Sequence, residues 1–340
     1  MSKVVNLRGR QVLERTKEDK ATNFSYLSII EKTDNVPLNY ESFPNFQDHV
    51  VYLESHNGAF KTGFVLKFTI DLMVKHAKGL FEKVFQLQDN CLRFKSSNFE
   101  ERNRGIDELA HFLRQKEIFD CLKGWRNEKY VMYDLNKKPY VLVERALTNI
   151  FGIITYGVHI NGAVIDQENH INFWIPRRST TKQTWPLKYD NIIAGGLGYP
   201  YGIHETMLKE CMEEGNLSEE LASKYTKPAG CVSYLYHSGD FKSDTFSNEG
   251  SSITGEVEYI YDMFLPSHII PTPNDGEVES FKLYSLQETL DLLKSDEFKP
   301  NCALIFVDFF IRHGYITPEN EPNYAEIVRK MHRTLPFPTM

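Results

Sequence analysis

Paired cysteines, long apolar runs and an excess of positive charge are all missing from this sequence, and each absence argues against a class of protein. The five cysteines, Cys91, Cys121, Cys211, Cys231 and Cys302, are widely spaced and form no CxxC pair. That argues against a disulfide scaffold or a zinc knuckle and suits a reducing compartment. The most apolar late stretch, residues 303–311, is interrupted by Asp308 and is too short to span a bilayer. Residues 1–20 are polar and mixed in charge, without the apolar core of a signal peptide. A net charge of −7 leaves no dominant basic face of the kind a nucleic acid needs. The expectation is a soluble cytoplasmic protein, with nucleus and mitochondrion left open, and with neither nucleic acid nor membrane as partner. The sequence does not set the oligomeric state.

What is present is the composition of an ordinary folded protein. The 340 residues are 41% hydrophobic and 25% charged, enough for two domains of roughly 100–200 residues each. A local basic patch can still bind a small anion inside an acidic chain. Residues 1–20 read as a loose terminus, 62–78 as a helix, and 99–116 as a helix with Ile106, Leu109, Phe112 and Leu113 on one side. Residues 131–133 and 140–143 read as a hairpin around Asn136-Lys137-Lys138-Pro139. The second half is richer in strands, at 153–165, 171–175, 191–194, 231–236, 257–265 and 281–284. Helices are expected at 203–214, 286–294, 301–313 and from 324 onward. This alternation predicts an α/β fold, an α/β/α sandwich with a mixed sheet over residues 146–340, preceded by a smaller α+β accessory domain over residues 1–145.

The chemistry is densest between Gly195 and Leu217. Glu210, Glu213 and Glu214 sit at i, i+3 and i+4 and share one face of a helix. Like charges so placed repel, by a few tenths of a kcal/mol per pair. A hard divalent cation with oxygen ligands removes that repulsion, and magnesium takes one or two carboxylates together with water and substrate phosphates. A Glu-rich helix face alone is more often plain solvated surface. Gly195-Gly196 at a strand end, with Gly202 before the helix, adds a backbone that a diphosphate can approach closely.

This segment resembles the Nudix box, Gly-x5-Glu-x7-Arg-Glu-U-x-Glu-Glu-x-Gly-U, where U is apolar. Gly195, Glu210, Glu213 and Glu214 fit it, with Cys211 and Leu217 at the U positions. Tyr201 replaces the first Glu, Lys209 the Arg and Asn216 the late Gly. A wider set of motifs is similar to one Nudix subfamily: residues 122–128 (LKGWRNE), 144–146 (ERA), 156–162 (YGVHING), 174–179 (WIPRRS), 190–196 (DNIIAGG) and 209–211 (KEC). That subfamily is related to the Nudix domain fused to thiamine pyrophosphokinase and includes stand-alone plant and yeast enzymes. The resemblance implies a Nudix fold and magnesium-dependent hydrolysis, with manganese as the alternative ion. The substrate it implies is thiamine diphosphate or its damaged oxo and oxy analogues, cleaved to a monophosphate and phosphate.

The residues suggest roles. Glu210, Glu213 and Glu214 are the metal candidates, and Glu213 is the first candidate for general base. Arg177, Arg178 and Lys182 precede the glycine loop and suit phosphate binding, the two arginines also stabilising charge on the leaving phosphoryl group. Trp174 heads a group of rings, with Trp185, Tyr189, Tyr199 and Tyr201, on which a flat heteroaromatic would stack. Glu258 is the favoured distal carboxylate among Glu256, Glu258, Glu277 and Glu279. Glu205, four residues before Lys209, is placed to replace the missing Glu–Arg brace. Two other readings stay open: a nucleotide-sugar hydrolase, and a Nudix module that binds a diphosphate without cleaving it.

Overall fold

The computed structural model describes residues 2–340 apart from Arg8 and Asp89. Strands β1 (Lys3–Leu7) and β2 (Arg10–Glu14) pair antiparallel and lead into two short helices, α1 (Lys17–Ala21) and α2 (Leu27–Ile30). A loose terminus is therefore not what these residues form. Thr16 and Asp19 close a capping box at the start of α1. The physical reason lies just beyond residue 20: Leu13, Tyr26, Ile29 and Ile30 are buried in one apolar cluster with Phe306, Phe309 and Phe310 from the far end of the chain. Buried Glu321 ties the segment down by accepting from the Ser25 hydroxyl and the Tyr26 amide.

The next stretch builds a four-stranded sheet in the order β4-β3-β6-β5. Helix α3 (Pro44–His49) leads into β3 (Val50–Glu54) and β4 (Lys61–Leu66), which pair antiparallel. Helix α4 (Lys67–Val84) connects to β5 (Phe85–Gln88) and β6 (Cys91–Phe94), and α5 (Phe99–Gln115) follows with Asn98 as its N-cap. The helix expected over 62–78 begins only at Lys67, because residues 62–66 are buried along their length and pair with β3. Met73, Phe81, Ile106 and Leu109 cover the sheet through Val51, Leu53 and Leu92. The hairpin β7 (Lys129–Tyr133) and β8 (Pro139–Glu144) and the short helix α6 (Thr148–Phe151) complete this half.

The second half is a six-stranded mixed sheet. Its strands are β9 (Ile154–Ile165), β10 (Ile171–Arg178), β11 (Ile193–Gly196), β12 (Thr226–His237), β13 (Ile253–Phe264) and β14 (Val278–Ser285). The order is β12-β13-β9-β10-β14, with β11 paired to the first part of β9. β13 runs parallel to β9, and the other pairings are antiparallel. Helix α7 (Ile203–Gly215) packs Met207 and Cys211 on one face, against Val158, Ile160, Ile192 and Ile193. After α8 (Glu219–Tyr225) and α9 (Leu286–Lys294), helix α10 (Pro300–Arg312) packs Phe306 and Phe310 on the other face, against Phe173, Ile175 and Val232. Helix α11 (Tyr324–Lys330) ends the described elements. The result is the α/β/α sandwich with a mixed sheet that the sequence predicts. No helix among the described residues is long and apolar enough to cross a membrane.

If the first thirty residues belong to the core, truncating one should cost as much as truncating any core residue. Ile30 is fully buried, so Ile30→Ala is expected to lower unfolding free energy by about 2–5 kcal/mol. Urea denaturation checks this, and a cost under about 0.5 kcal/mol would return the segment to a loosely attached terminus.

Candidate active site

The site is organised around a stretch of backbone without side chains. Gly195 pairs with Val158 and Gly196 with Gly157, while Gly157 is paired on its other side with Glu258. A Cβ on Gly157 would run into the Glu258 carboxylate and come within 3.1 Å of the Gly195 carbonyl oxygen. A Cβ on Gly195 would come within 2.6 Å of Glu210 Oε2. Glycine at these places lets a carboxylate press against the backbone from each side of the sheet, Glu258 at Gly157 and Glu210 at Gly195.

Glu214, one helical turn beyond Glu210, joins them from below. It is only 5% exposed and accepts a hydrogen bond from the Ala194 amide at 2.9 Å. The helix face bearing the glutamates is therefore partly inward, not an outer surface. Burial pushes the Glu214 carboxyl well up, and the charges of Asp190 and Glu210 push it the same way. Burial also raises Glu210, opposed by Lys209. Glu258 receives its hydrogen bonds on Oε1, from the Tyr234 hydroxyl at 3.2 Å and the Asn301 amide at 3.3 Å, and His159 lies 3.5 Å from the same oxygen. Its Oε2 is buried without a partner. An orphaned carboxylate oxygen on one side of the ridge, and half-buried Glu210 with buried Glu214 on the other, offer oxygen ligands of the kind a hard divalent cation takes.

Two chambers meet over Ala194-Gly195-Gly196. The inner one, about 640 Å³, lies beside the start of α10 and is floored by Glu256, Glu258, His159, Lys299 and Asn301. The outer one, about 360 Å³, lies beside α7 and is walled by Glu210, Glu213, Lys209, Tyr199 and Tyr201. Arg126, Arg145 and Lys182 line both. Arg145 bonds Glu128 at 2.8 Å, with its guanidinium 5.6 Å from the Tyr130 ring centre. Arg126 and Lys182 share Glu277.

The sequence candidates fall in different places. Gly195 and Gly196 lie at the centre, and Lys182 reaches both chambers. Arg177 lies outside both, over Tyr189 and 3.4 Å from Glu297. Arg178 touches the inner wall, but its guanidinium is committed to Asp190 at 2.5 Å and to the Thr184 and Trp185 carbonyls at 3.0 Å each. Trp174 is buried in the apolar layer under α7 and lines neither chamber. The substrate-binding roles expected for Arg177 and Trp174 do not match these positions: alternation along β10 sends Trp174 into the α7-side apolar layer and Arg177 to the opposite face, where Tyr189 and Glu297 hold it. Glu213 lines the outer chamber, where Lys209 holds its carboxylate at 2.7 Å. The brace expected between Glu205 and Lys209 is absent. Glu205 instead accepts from the Gly202 amide at 2.8 Å and caps α7, while Lys209 turns to Glu210 and Glu213.

Sequence reasoning did not single out Arg126, Arg145, Tyr130 or Lys299. The first two lie within stretches quoted for the resemblance, where cationic residues stand beside Trp125 and Glu144. Among the described residues, the one tight trio of His, Cys, Asp or Glu is His159, Asp190 and Cys302, with ligand atoms within 4.8 Å of one another. Arg178 already neutralises Asp190, and Asn191 holds His159 at 2.7 Å.

Comparison with known proteins places the chain in a family. Two Arabidopsis thaliana proteins, "Nudix hydrolase 24, chloroplastic" and "Nudix hydrolase 20, chloroplastic", are 36% and 35% identical over 234 residues. The match covers 68% of this chain and 60% and 58% of theirs. Their similarity supports the Nudix hydrolase family as the class of this chain. More particularly, the chain belongs to one family with the Saccharomyces cerevisiae protein YJR142W, described as uncharacterized, which is 56% identical over 336 residues and 98% of each chain. Residues 69–155 match a family described as a domain of unknown function, DUF4743.

Asn216, where the box has glycine, adopts φ 52° and closes α7 in the left-handed conformation. Asparagine tolerates that region better than other residues with a Cβ. Asn216→Gly should leave stability nearly unchanged, whereas Asn216→Ala should cost about 1 kcal/mol, read as paired melting curves. Equal melting of the two variants would remove the conformational explanation for the departure.

Proposed function

We propose that this chain is a magnesium-dependent hydrolase that cleaves a small organic diphosphate to its monophosphate and phosphate. The observation that carries this reading is a glycine ridge flanked by carboxylates, Glu210 and Glu214 on the α7 side and Glu258, with Oε2 unpartnered, in the inner chamber on the other. These carboxylates would supply the ligands for the metal, with manganese as the alternative ion. Bound there, a divalent cation neutralises the diphosphate bridge and acidifies an attacking water. Of the candidates for general base, Glu258 is better placed than Glu213, whose carboxylate is already bonded to Lys209. Gly195 and Gly196 admit phosphate oxygens close to the backbone. Lys182 presents charge beside them, and Arg178 holds the end of β10 in place rather than meeting the leaving group.

The substrate class follows from the resemblance: thiamine diphosphate or its oxo and oxy analogues. A chamber of about 640 Å³ has the volume to accept such an organic group. We further propose that residues 146–340 carry the catalytic carboxylates and residues 1–145 shape the pocket.

A panel of thiamine-type, nucleotide-type and sugar-type diphosphates, incubated with magnesium and read by phosphate release, tests the reading. Thiamine-type substrates should be turned over fastest, giving monophosphate and inorganic phosphate. Release of inorganic pyrophosphate would place the cleavage elsewhere, and turnover persisting in excess chelator would sink the metal mechanism. Glu214→Gln and Glu258→Gln should each lower kcat at least about 100-fold, whereas Glu205→Gln should act through melting temperature, as the loss of a helix cap. Full turnover in Glu258→Gln would return the base to Glu213.

A further inference from the structure

We propose that Arg145 and Lys299 grip the diphosphate from opposite walls of the inner chamber, so that the N-terminal half of the chain supplies part of the active site. This rests on the diphosphate reading above and adds the residues that hold the anion.

Most cations around the chamber are already used. Arg178 is spent on Asp190 and two carbonyls. Arg126 and Lys182 divide Glu277 between them. Lys123 pairs with Asp120 at the exposed rim. Two more line the inner chamber, Arg145 and Lys299.

Arg145 has five N–H donors in a planar fork, and among the described residues its guanidinium makes one hydrogen bond, through Nη1 to Glu128. It stands beside the glycine ridge: a Cβ on Gly196 would lie 3.7 Å from the guanidinium carbon. It therefore stands where the two chambers adjoin, lining the one that holds Glu258 and the one that holds Glu210. The second is Lys299, which lines the inner chamber at the start of α10. Its backbone amide is bonded to the Tyr189 carbonyl, but among the described residues its ammonium has neither a hydrogen-bond acceptor nor an ion-pair partner. Lys299 is half-buried on the chamber wall, so a ligand oxygen could take up its uncommitted donors without displacing a protein partner. Asn301, 8% exposed, lines the chamber next to it, and the first turn of α10 has no side-chain cap.

The chemistry of the two differs in a useful way. Arginine offers a fork matched to phosphate oxygens, and lysine a compact point charge. With a cation compensating the three glutamates, these two are the free positive groups left to meet the phosphoryl oxygens. A purely structural Lys299, balancing Asp190 and Glu256 from within, is the competing account, and it predicts lost stability without lost binding.

The test is binding of methylenediphosphonate, which cannot be hydrolysed, to the full chain in magnesium buffer by calorimetry, with melting temperatures measured in parallel. Arg145→Gln and Lys299→Met should each raise Kd by about 10- to 100-fold. Arg145→Lys, which keeps the charge and removes the fork, should fall between Arg145→Gln and the unaltered protein. Lys78→Met removes the same charge from an exposed helix position outside the chamber, where Lys78 faces Glu82, and should bind as the unaltered protein does. Lys299→Met with a lowered melting temperature and a Kd within twofold would overturn its place in the clamp. Should Arg145→Gln not fold, a Kd within twofold for Arg145→Lys would overturn the part assigned to Arg145. If the unaltered protein does not bind the diphosphonate at all, the diphosphate reading itself fails and the clamp with it.

Discussion

Acidic groups press against the backbone here because two neighbouring strands carry no side chains where they pass. Gly157 on β9 and Gly195 on β11 leave the volume that the Glu258 and Glu210 carboxylates occupy, one on each side of the sheet. A methyl group at either position would displace the carboxylate beside it. The arrangement has an electrostatic cost: burial pushes both the Glu210 and Glu214 carboxyls up, and the charge of Glu210 pushes Glu214 further. Buried like charges do not favour folding, so these carboxylates are better suited to meeting a positive group than to holding the fold.

The glycine ridge is itself held by a buried polar network. Arg178 and Asp190 pair beneath it, and Asp190 also accepts from the Asn191 amide and from Cys302. Asn191 reaches on to His159, Asn161 and the Cys302 carbonyl. The network ties the end of β10, the approach to β11 and the first turn of α10 into one unit. Buried pairs of this sort contribute little net stability, yet removing one partner costs about 3–5 kcal/mol. The value of the network lies in position: it fixes where the Ala194 amide meets Glu214. Two adjacent arginines in the sequence thus serve neither as a pair nor in one place. Arg178 is a strut, and Arg177 is on the outside.

How far the sequence could be read depends on how local each cause is. Helices α5, α7, α9 and α10 follow from short periodic patterns, and all four lie within a residue or two of their expected bounds. The glutamates of α7 are legible because i, i+3 and i+4 share a face in any helix. The four-residue spacing of Glu205 and Lys209 is equally local, yet it misleads, because the Gly202 amide at the helix start competes for the Glu205 carboxylate and wins. Glu258 is favoured among four downstream carboxylates from sequence, but its place opposite Gly157 comes from parallel pairing, a contact between distant parts of the chain that no local pattern encodes. The same holds for Ile30, whose burial depends on α10, and for residues 62–66, whose pairing with β3 overrides a helical reading.

The roof of the chamber is built across the boundary between the accessory part and the catalytic part. The hairpin β7–β8 is joined to the loop before α7, where the Tyr199 amide donates to the Lys129 carbonyl at 2.7 Å. Glu249, from the loop between β12 and β13, accepts from the amides of Asp120 and Cys121 at 2.7 and 2.9 Å. Within the roof, the Arg126 amide donates to Glu144 and the Arg145 amide to the Glu128 carbonyl. Each of these anchors ends on main chain on at least one side, which suits a fixed wall better than a hinged lid. Tyr130 stands against Gly196 on that wall. The boundary drawn at residues 145 and 146 falls inside the turn Arg145–Leu147, and the family match over 69–155 runs on into β9. A substrate held over the glycine ridge would therefore meet residues from both sides of that boundary at once.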